Sequence, residues 1–210
     1  MGVAMTTTKK DEAYQFIRQA IISGALKPGE ILNIGELSER FGVGKTPTRE
    51  ALVVLAFEGW IEPIPRSGYL IASITVRDVL ETFHLRAVLE VEAIGLAVDR
   101  ITEADIRALE ENNQAELEAA QGVSTYKRGY ELNREFHLII ARASDNSRLV
   151  RLVEQFIDEM ERILALDPYI TGPRQHAEIL DALKRRDRRD AQQAMRKHLE
   201  ETKSRILDRF

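Results

Sequence analysis

The sequence predicts a mainly α-helical chain in two parts: a small N-terminal part with three short helices and a hairpin, and a C-terminal all-α helical bundle. Two observations lead to this prediction. Apolar residues recur at helical spacing over most of the 210 residues, which is the pattern of amphipathic helices. Extended runs are confined to residues 60–64 and 68–73, on either side of Pro65-Arg66-Ser67-Gly68, as expected of a β-hairpin.

The first two helices of the N-terminal part are short. The first is predicted at about residues 11–23 and ends before Gly24, because glycine favours the left-handed backbone that follows many helices. A Lys-Pro-Gly-Glu turn at 27–30 then interrupts the periodicity. The second helix is predicted at about 34–41 and ends at the Gly-Val-Gly of residues 42–44.

The third helix begins at a threonine-proline pair. Thr46 is the predicted N-cap and Pro47 the first helical residue, since the missing N–H of proline costs nothing there. The helix runs to about Glu58 and buries one apolar face, formed by Ala51, Leu52 and Leu55.

The C-terminal part is predicted to be entirely helical. Its six helices span about 75–100, 103–121, 124–143, 146–166, 169–186 and 188–208. The first of them is apolar over most of its circumference, which indicates a helix central to the bundle, to a dimer interface, or to both. Gly122, Asp167 and Pro168 mark two of the predicted boundaries.

The composition excludes several classes of protein. With 44% hydrophobic and 30% charged residues the chain is an ordinary globular one. The absence of cysteine excludes a disulfide scaffold, a cysteine-ligated zinc site and thiol catalysis. The first twelve residues contain no apolar core, so no signal peptide is expected, and the chain has no apolar run long enough for a bilayer. A cytoplasmic protein is predicted.

The charge balance by itself does not indicate nucleic acid. The formal net charge is −4, and residues 9–75 hold eight basic and eight acidic residues. A DNA-binding prediction must therefore rest on where the charges lie.

Three short helices followed by a hairpin describe a winged helix-turn-helix. In this motif the N-terminal end of the third helix contacts base edges in the major groove. The sequence places two cations and two hydroxyls there, which suit phosphate and base contacts: Lys45, Thr46, Thr48 and Arg49. The hairpin carries Arg66 and the small residue Gly68 at its tip, where they can approach the DNA backbone or minor groove.

Residues 11–73 closely resemble the DNA-binding domain of GntR-superfamily regulators. The resemblance lies in GALKPGEIL, ELSERFGVGKTPTREALVVLAFEGWIE and RSGYLIA. It implies a DNA-binding domain over residues 9–74, with Lys45 and Arg49 on operator DNA and with Arg66 and Gly68 in the wing. The family usually has arginine where this chain has Lys45, and lysine offers a point charge in place of a planar fork. A phosphate contact is therefore expected at residue 45.

Three of the four histidines fall on apolar faces of three different predicted helices. They are His137, His176 and His198, and Asn133 lies one helical turn before His137. Such residues can converge in the core of a bundle, where metal sites are built. They can equally be core histidines with satisfied hydrogen bonds, and helical spacing does not decide between the two.

The chain after residue 76 resembles the FCD ligand-sensing domain of the FadR-type GntR subfamily. The matching segments are FHLRAVLEVEAIGLA, NREFHLIIARASDN, QHAEILDAL and AMRKHL. The resemblance implies an effector-sensing and dimerisation domain over 76–208. It further implies a divalent metal of the zinc or nickel type on Asn133, His137, His176 and His198, with Arg86 facing the same cavity and binding a carboxylate.

Asn133 stands where this subfamily usually has aspartate. Three neutral imidazoles and an amide leave a divalent site at a net charge of +2. The hypothesis is therefore that metal is held less tightly and that an anionic effector completes the shell. His84 matches no ligand position and is expected to be structural or to line a cavity, while Asn146 is expected to cap a helix.

The sequence thus predicts a homodimeric regulator, by analogy a repressor, that binds palindromic operator DNA under control of a small organic acid. One alternative is a metal-dependent hydrolytic enzyme, since three histidines can activate water. Against it, the sequence offers no placed general base, because Glu135 is offset from the His137 face. Another is a metal-free regulator whose histidines line a cavity for a larger effector.

Overall fold

The computed structural model describes residues 8–121, 126–164 and 173–210. The chain divides into two compact units between Ser73 and Ile74. Within the described ranges it is mainly helical, and none of its helices is both long and apolar enough to cross a membrane. The predicted helix boundaries at Gly122, Asp167 and Pro168 lie outside the described residues.

The smaller unit contains three helices and a three-stranded antiparallel sheet within the described ranges. The elements are α1 (Lys9–Ile22), β1 (Ile31–Leu32), α2 (Ile34–Phe41), α3 (Lys45–Phe57), β2 (Ile61–Ile64) and β3 (Gly68–Ile71). The strand order is β1-β3-β2, and β2 and β3 form the predicted hairpin. The two-residue strand β1 was not predicted; it pairs Ile31 with Leu70 and Leu32 with Tyr69.

One apolar core holds this unit together. Ile17 of α1, Leu52 of α3 and Ile71 of β3 are fully buried in it, together with Trp60. The helix ends follow local chemistry, since the hydroxyl of Thr8 accepts from Asp11 N at the start of α1. Gly42 adopts a left-handed conformation at the end of α2.

The start of α3 differs from the prediction. Its N-cap is Gly44, the helix begins at Lys45, and Pro47 is the third helical residue. Thr46 is therefore not the N-cap. The physical reason is that all of the first N–H groups of a helix lack an intrahelical acceptor, so proline is tolerated at the third position as well as the first.

The larger unit is a bundle of helices. They are α4 (Val76–Ala97), α5 (Glu103–Gln121), α6 (Tyr126–Ala143), α7 (Ser147–Leu164), α8 (Pro173–Lys184) and α9 (Arg188–Leu207). The helix α4 packs against α6, α7 and α9, as its apolar circumference predicts. Gly95 lets α9 come close, because a Cβ there would lie 2.5 Å from Nε2 of Gln192.

Part of α4 faces solvent in the isolated chain. Leu80 is 45% and Val88 58% exposed. His84 is also exposed, so the expectation that it packs inside or lines a cavity does not hold. The predicted cap at Asn146 is confirmed, since its Oδ1 accepts from Leu149 N at 3.1 Å.

Candidate metal centre and nucleic-acid interface

The start of α3 presents three of the four polar side chains that the sequence singled out. Lys45, Thr46 and Arg49 are exposed. Thr48 is only 1% exposed, and its hydroxyl donates to the carbonyl of Gly44 at 3.0 Å. Thr48 therefore fastens the first helical turn, and its hydroxyl is turned away from solvent.

The wing places Arg66 and Gly68 in different roles. Arg66 is exposed at the tip and has a positive φ of 66°. Gly68 has a φ of 121°, and a Cβ on it would lie 2.3 Å from the carbonyl oxygen of Leu32. Gly68 is thus required by the backbone geometry that brings β1 and β3 together.

Three histidines meet inside the larger unit. His137 of α6, His176 of α8 and His198 of α9 are buried, and their ring centroids lie 4.7–5.3 Å apart. Each offers one nitrogen to a group whose members lie within 4.8 Å of one another. Helical spacing predicts that these residues lie on inward faces, and the structure brings them together.

Each of these rings has an acceptor beside Nδ1. Glu116 Oε2 lies 2.6 Å from Nδ1 of His176, and Gln175 Oε1 lies 3.0 Å from Nδ1 of His198. Glu90 Oε2 lies 2.5 Å from Nδ1 of His137, although this contact lacks the angle of a well-formed hydrogen bond. The Nε2 atoms are consequently the ones left to face each other.

The Nε2 atoms lack suitable partners. Nε2 of His137 and Nε2 of His198 lie 3.2 Å apart, and Nε2 of His176 has no hydrogen-bond partner within the described ranges. If Nδ1 carries the hydrogen in each ring, every Nε2 presents a lone pair. Buried lone pairs that point at one another repel, and a cation between them makes the arrangement favourable. Imidazole nitrogen is a suitable ligand for zinc and nickel. The donor set therefore fits a divalent metal.

A buried ion pair joins this cluster to Arg86. Arg86 Nε donates to Glu90 Oε1 at 2.6 Å, and both side chains are 3% exposed. Burial alone would raise the pKa of Glu90, but the charge of Arg86 and the contacts with Arg86 and His137 outweigh it and lower the pKa to about 2. Burial lowers the pKa of His137 and, more strongly, that of His198, so these rings are neutral and able to bind metal.

One atom of Arg86 is unsatisfied. Its Nη2 is buried without a hydrogen-bond partner in the described part of the chain. A buried guanidinium donor left unpaired is costly, and an anionic group would satisfy it.

Asn133, the remaining residue of the predicted ligand set, is buried on α6, one turn before His137.

Sequence reasoning missed Glu90 and Glu116. Each is a carboxylate on an inward stripe: Glu90 lies four residues after Arg86, and Glu116 continues the buried stripe of Ile106, Leu109 and Asn112 on α5. A charged residue at a buried position almost always has a partner, and that rule would have singled out both. Glu135, in contrast, pairs with Arg142 at 2.8 Å on the outside of α6.

Known families and proteins match both units. Residues 9–71 match the family described as bacterial regulatory proteins, gntR family, and residues 81–201 match the FCD domain. The chain is 30% identical over 192 residues to the uncharacterized HTH-type transcriptional regulator YdhC of Bacillus subtilis, covering 88% of this chain and 85% of that protein.

Two further proteins are similar over nearly the whole chain. The HTH-type transcriptional repressor RspR of Escherichia coli is 27% identical over 201 residues, covering 93% of this chain and 88% of that protein. The solved structure of Escherichia coli McbR/YncC superposes with a TM-score of 0.78 at 23% identity, covering 97% of this chain and 99% of that one. The latter likeness shows the same fold.

Proposed function

The chain belongs to the gntR family of bacterial regulatory proteins and is a DNA-binding transcriptional regulator with an FCD domain, and on that premise we propose that a small carboxylate and a divalent metal control its operator binding. The smaller unit is the DNA-binding domain and the larger unit the effector-sensing and dimerisation domain. Because operator DNA lies in the bacterial cytoplasm, we propose that the protein acts there. Related regulators are named repressors, which favours repression relieved by the effector.

The observation that carries the effector proposal is the buried, unpaired Nη2 of Arg86 beside the histidine cluster. His137, His176 and His198 would hold the metal, with the amide oxygen of Asn133 as a further ligand. A divalent cation of the zinc or nickel type would supply positive charge that attracts a carboxylate. Arg86 would bind that carboxylate through Nη2 while Nε stays on Glu90.

For operator DNA the proposed contacts are Lys45, Thr46 and Arg49 at the start of α3, with Arg66 at the wing tip. All four side chains are exposed, and the helix N-terminus adds N–H groups and a positive dipole that attract phosphate. A homodimer would present two such surfaces to a two-fold operator. Thr48 is left out of this set because its hydroxyl is satisfied inside the helix.

Binding of the purified protein to the DNA upstream of its own gene tests the DNA-contact proposal. We expect Arg49→Ala to weaken binding by about 5- to 150-fold, corresponding to loss of about 1–3 kcal/mol from a base contact. Lys45→Ala should lower the slope of log K against log salt by about 1, as loss of one phosphate contact does.

The matched control is Arg128→Ala, which removes one exposed cation from α6 of the larger unit. It should leave both affinity and salt slope unchanged. Equal weakening by all three variants would mean that net charge alone governs binding, and unchanged binding by Lys45→Ala and Arg49→Ala would contradict the proposed interface.

A further inference from the structure

We propose that Glu116 and Glu90 are positioning residues of the histidine cluster, which hold Nδ1 of His176 and His137 so that Nε2 of each ring points at one cation. This inference rests on the proposed metal binding and adds the residues that make the site competent for it. It also changes the expected strength of metal binding.

The clearest case is Glu116. Its Oε2 lies 2.6 Å from Nδ1 of His176, and both side chains are fully buried. An ionised carboxylate only accepts hydrogen bonds, so it requires the hydrogen on Nδ1 and leaves the lone pair on Nε2. Phe136 stacks on the same ring with centroids 3.9 Å apart, which fixes the plane of the imidazole.

Nδ1 of each of the other two rings, His137 and His198, also lies beside an acceptor. Glu90 bridges Arg86 and His137 with its two oxygens. Gln175 presents Oε1 to Nδ1 of His198 because its Nε2 donates to Glu201, and this donation fixes which way the amide points. Nδ1 of each of the three histidines thus lies beside an acceptor on a different helix from the ring, which is how metal-bound histidines are commonly oriented.

The two carboxylates also supply charge. Neutral imidazoles and an amide leave a divalent cation uncompensated, and an uncompensated charge in a protein interior is costly. Glu90 and Glu116 add two negative charges in direct contact with His137 and His176, and Arg86 offsets one of these charges. The two carboxylates therefore make up for the negative charge that Asn133 lacks. We expect tight metal binding in place of the weak binding that the sequence suggests.

A purely structural role explains Glu116 poorly. Its Oε1 is buried without a partner within the described ranges, so this carboxylate imposes a desolvation cost on the metal-free fold. A residue kept only for packing would not carry that cost. The two roles predict opposite results for Glu116→Gln, which keeps the shape and removes the charge.

The test is a competition titration of the full-length protein with Zn²⁺ and Ni²⁺ against a chromophoric chelator, together with thermal melting of the metal-free protein. We expect Glu116→Gln to weaken metal binding by about 10- to 100-fold, while the melting temperature without metal stays the same or rises. Glu90→Gln should weaken binding over the same range. Glu110→Gln is the matched control, because Glu110 lies on the same helix and pairs with Lys184 away from the histidines.

Wild-type affinity in Glu116→Gln would overturn the inference while leaving the proposed metal binding intact. A loss of metal-free stability with unchanged affinity would show a structural role and also overturn it. His176→Ala serves as the reference for an incomplete site. If wild type binds no more metal than His176→Ala, both the inference and the metal part of the proposed function fail.

Discussion

Single residues set the geometry of the wing. Arg66 and Gly68 both have positive φ, and Gly68 lies so close to the carbonyl oxygen of Leu32 that no side chain fits. Gly24 also has a positive φ, of 73°, but a Cβ there would meet nothing within 4 Å. A comparison of substitutions at the two glycines therefore separates the cost of backbone strain from the cost of a steric clash.

Gly68→Ala should destabilise the smaller unit more than Gly24→Ala. The strained φ alone costs about 1–3 kcal/mol at either position, and only Gly68→Ala adds a clash with the backbone of β1. The measurement is urea unfolding followed by the fluorescence of Trp60, the single tryptophan of the chain, which is buried in this unit. Equal losses of unfolding free energy in the two variants would contradict the steric explanation.

At the scale of elements, side-chain caps fix where most helices begin. Reciprocal hydrogen bonds join Thr8 with Asp11, Thr75 with Asp78 and Thr102 with Asp105. Thr8 also lowers the pKa of Asp11 by hydrogen bonding to the carboxylate. The helix α3 has Gly44 as its N-cap and no side-chain cap, which leaves its first N–H groups open toward solvent or a ligand.

Thr8→Ala should lower the unfolding free energy of the smaller unit by about 1 kcal/mol, because it removes the cap of α1. Thr46→Ala is the control in the same unit. It should change the unfolding free energy by less than about 0.5 kcal/mol, since an exposed side chain without a capping bond contributes little. Trp60 fluorescence during urea unfolding reports both. A larger loss in Thr46→Ala than in Thr8→Ala would reinstate Thr46 as the cap.

At the scale of the whole molecule, the proposed function is a linkage between a site in the larger unit and DNA binding by the smaller one. An effector changes operator affinity only if it binds the DNA-competent and incompetent forms with different affinity. In this proposal, Arg86, Glu90 and the three histidines would form the sensing end of the linkage, since they lie together inside the larger unit.

With Zn²⁺ or Ni²⁺ bound, we expect one member of a panel of organic and sugar acids to weaken operator binding by about 5- to 150-fold, the usual range of such coupling. Arg86→Lys should remove the acid's effect, because lysine has one ammonium nitrogen in place of the separate Nε and Nη2 with which arginine can hold Glu90 and a carboxylate at once. The metal should still raise the melting temperature of Arg86→Lys, because a ligand that binds only the native state stabilises it.

Operator affinity is measured by titration with and without acid, and the melting temperature with and without metal. An acid that acts equally on wild type and Arg86→Lys would contradict the role of Arg86. An acid that acts equally after metal removal would favour the metal-free regulator with a larger effector.

Two of the differences between prediction and structure in the smaller unit, at β1 and at Thr46, have local causes. The strand β1 has two residues, too few for an alternating pattern, and it exists because β3 offers it a partner. The preference of proline for the first helical position predicts Thr46 as the cap, but the free N–H groups of a helix extend to the third position, where Pro47 lies. At both places the local sequence preferences are compatible with the predicted structure and with the observed one.

The sequence by itself determined the helices, the hairpin and the inward faces of His137, His176 and His198, because helical spacing and turn residues are local properties. Only the tertiary structure decided which side chains face these histidines. Glu116 is 60 residues from His176, and helical spacing relates residues of one helix only. The partner of a side chain on another helix depends on how the two helices are rotated and offset in the packed core, which no local pattern records.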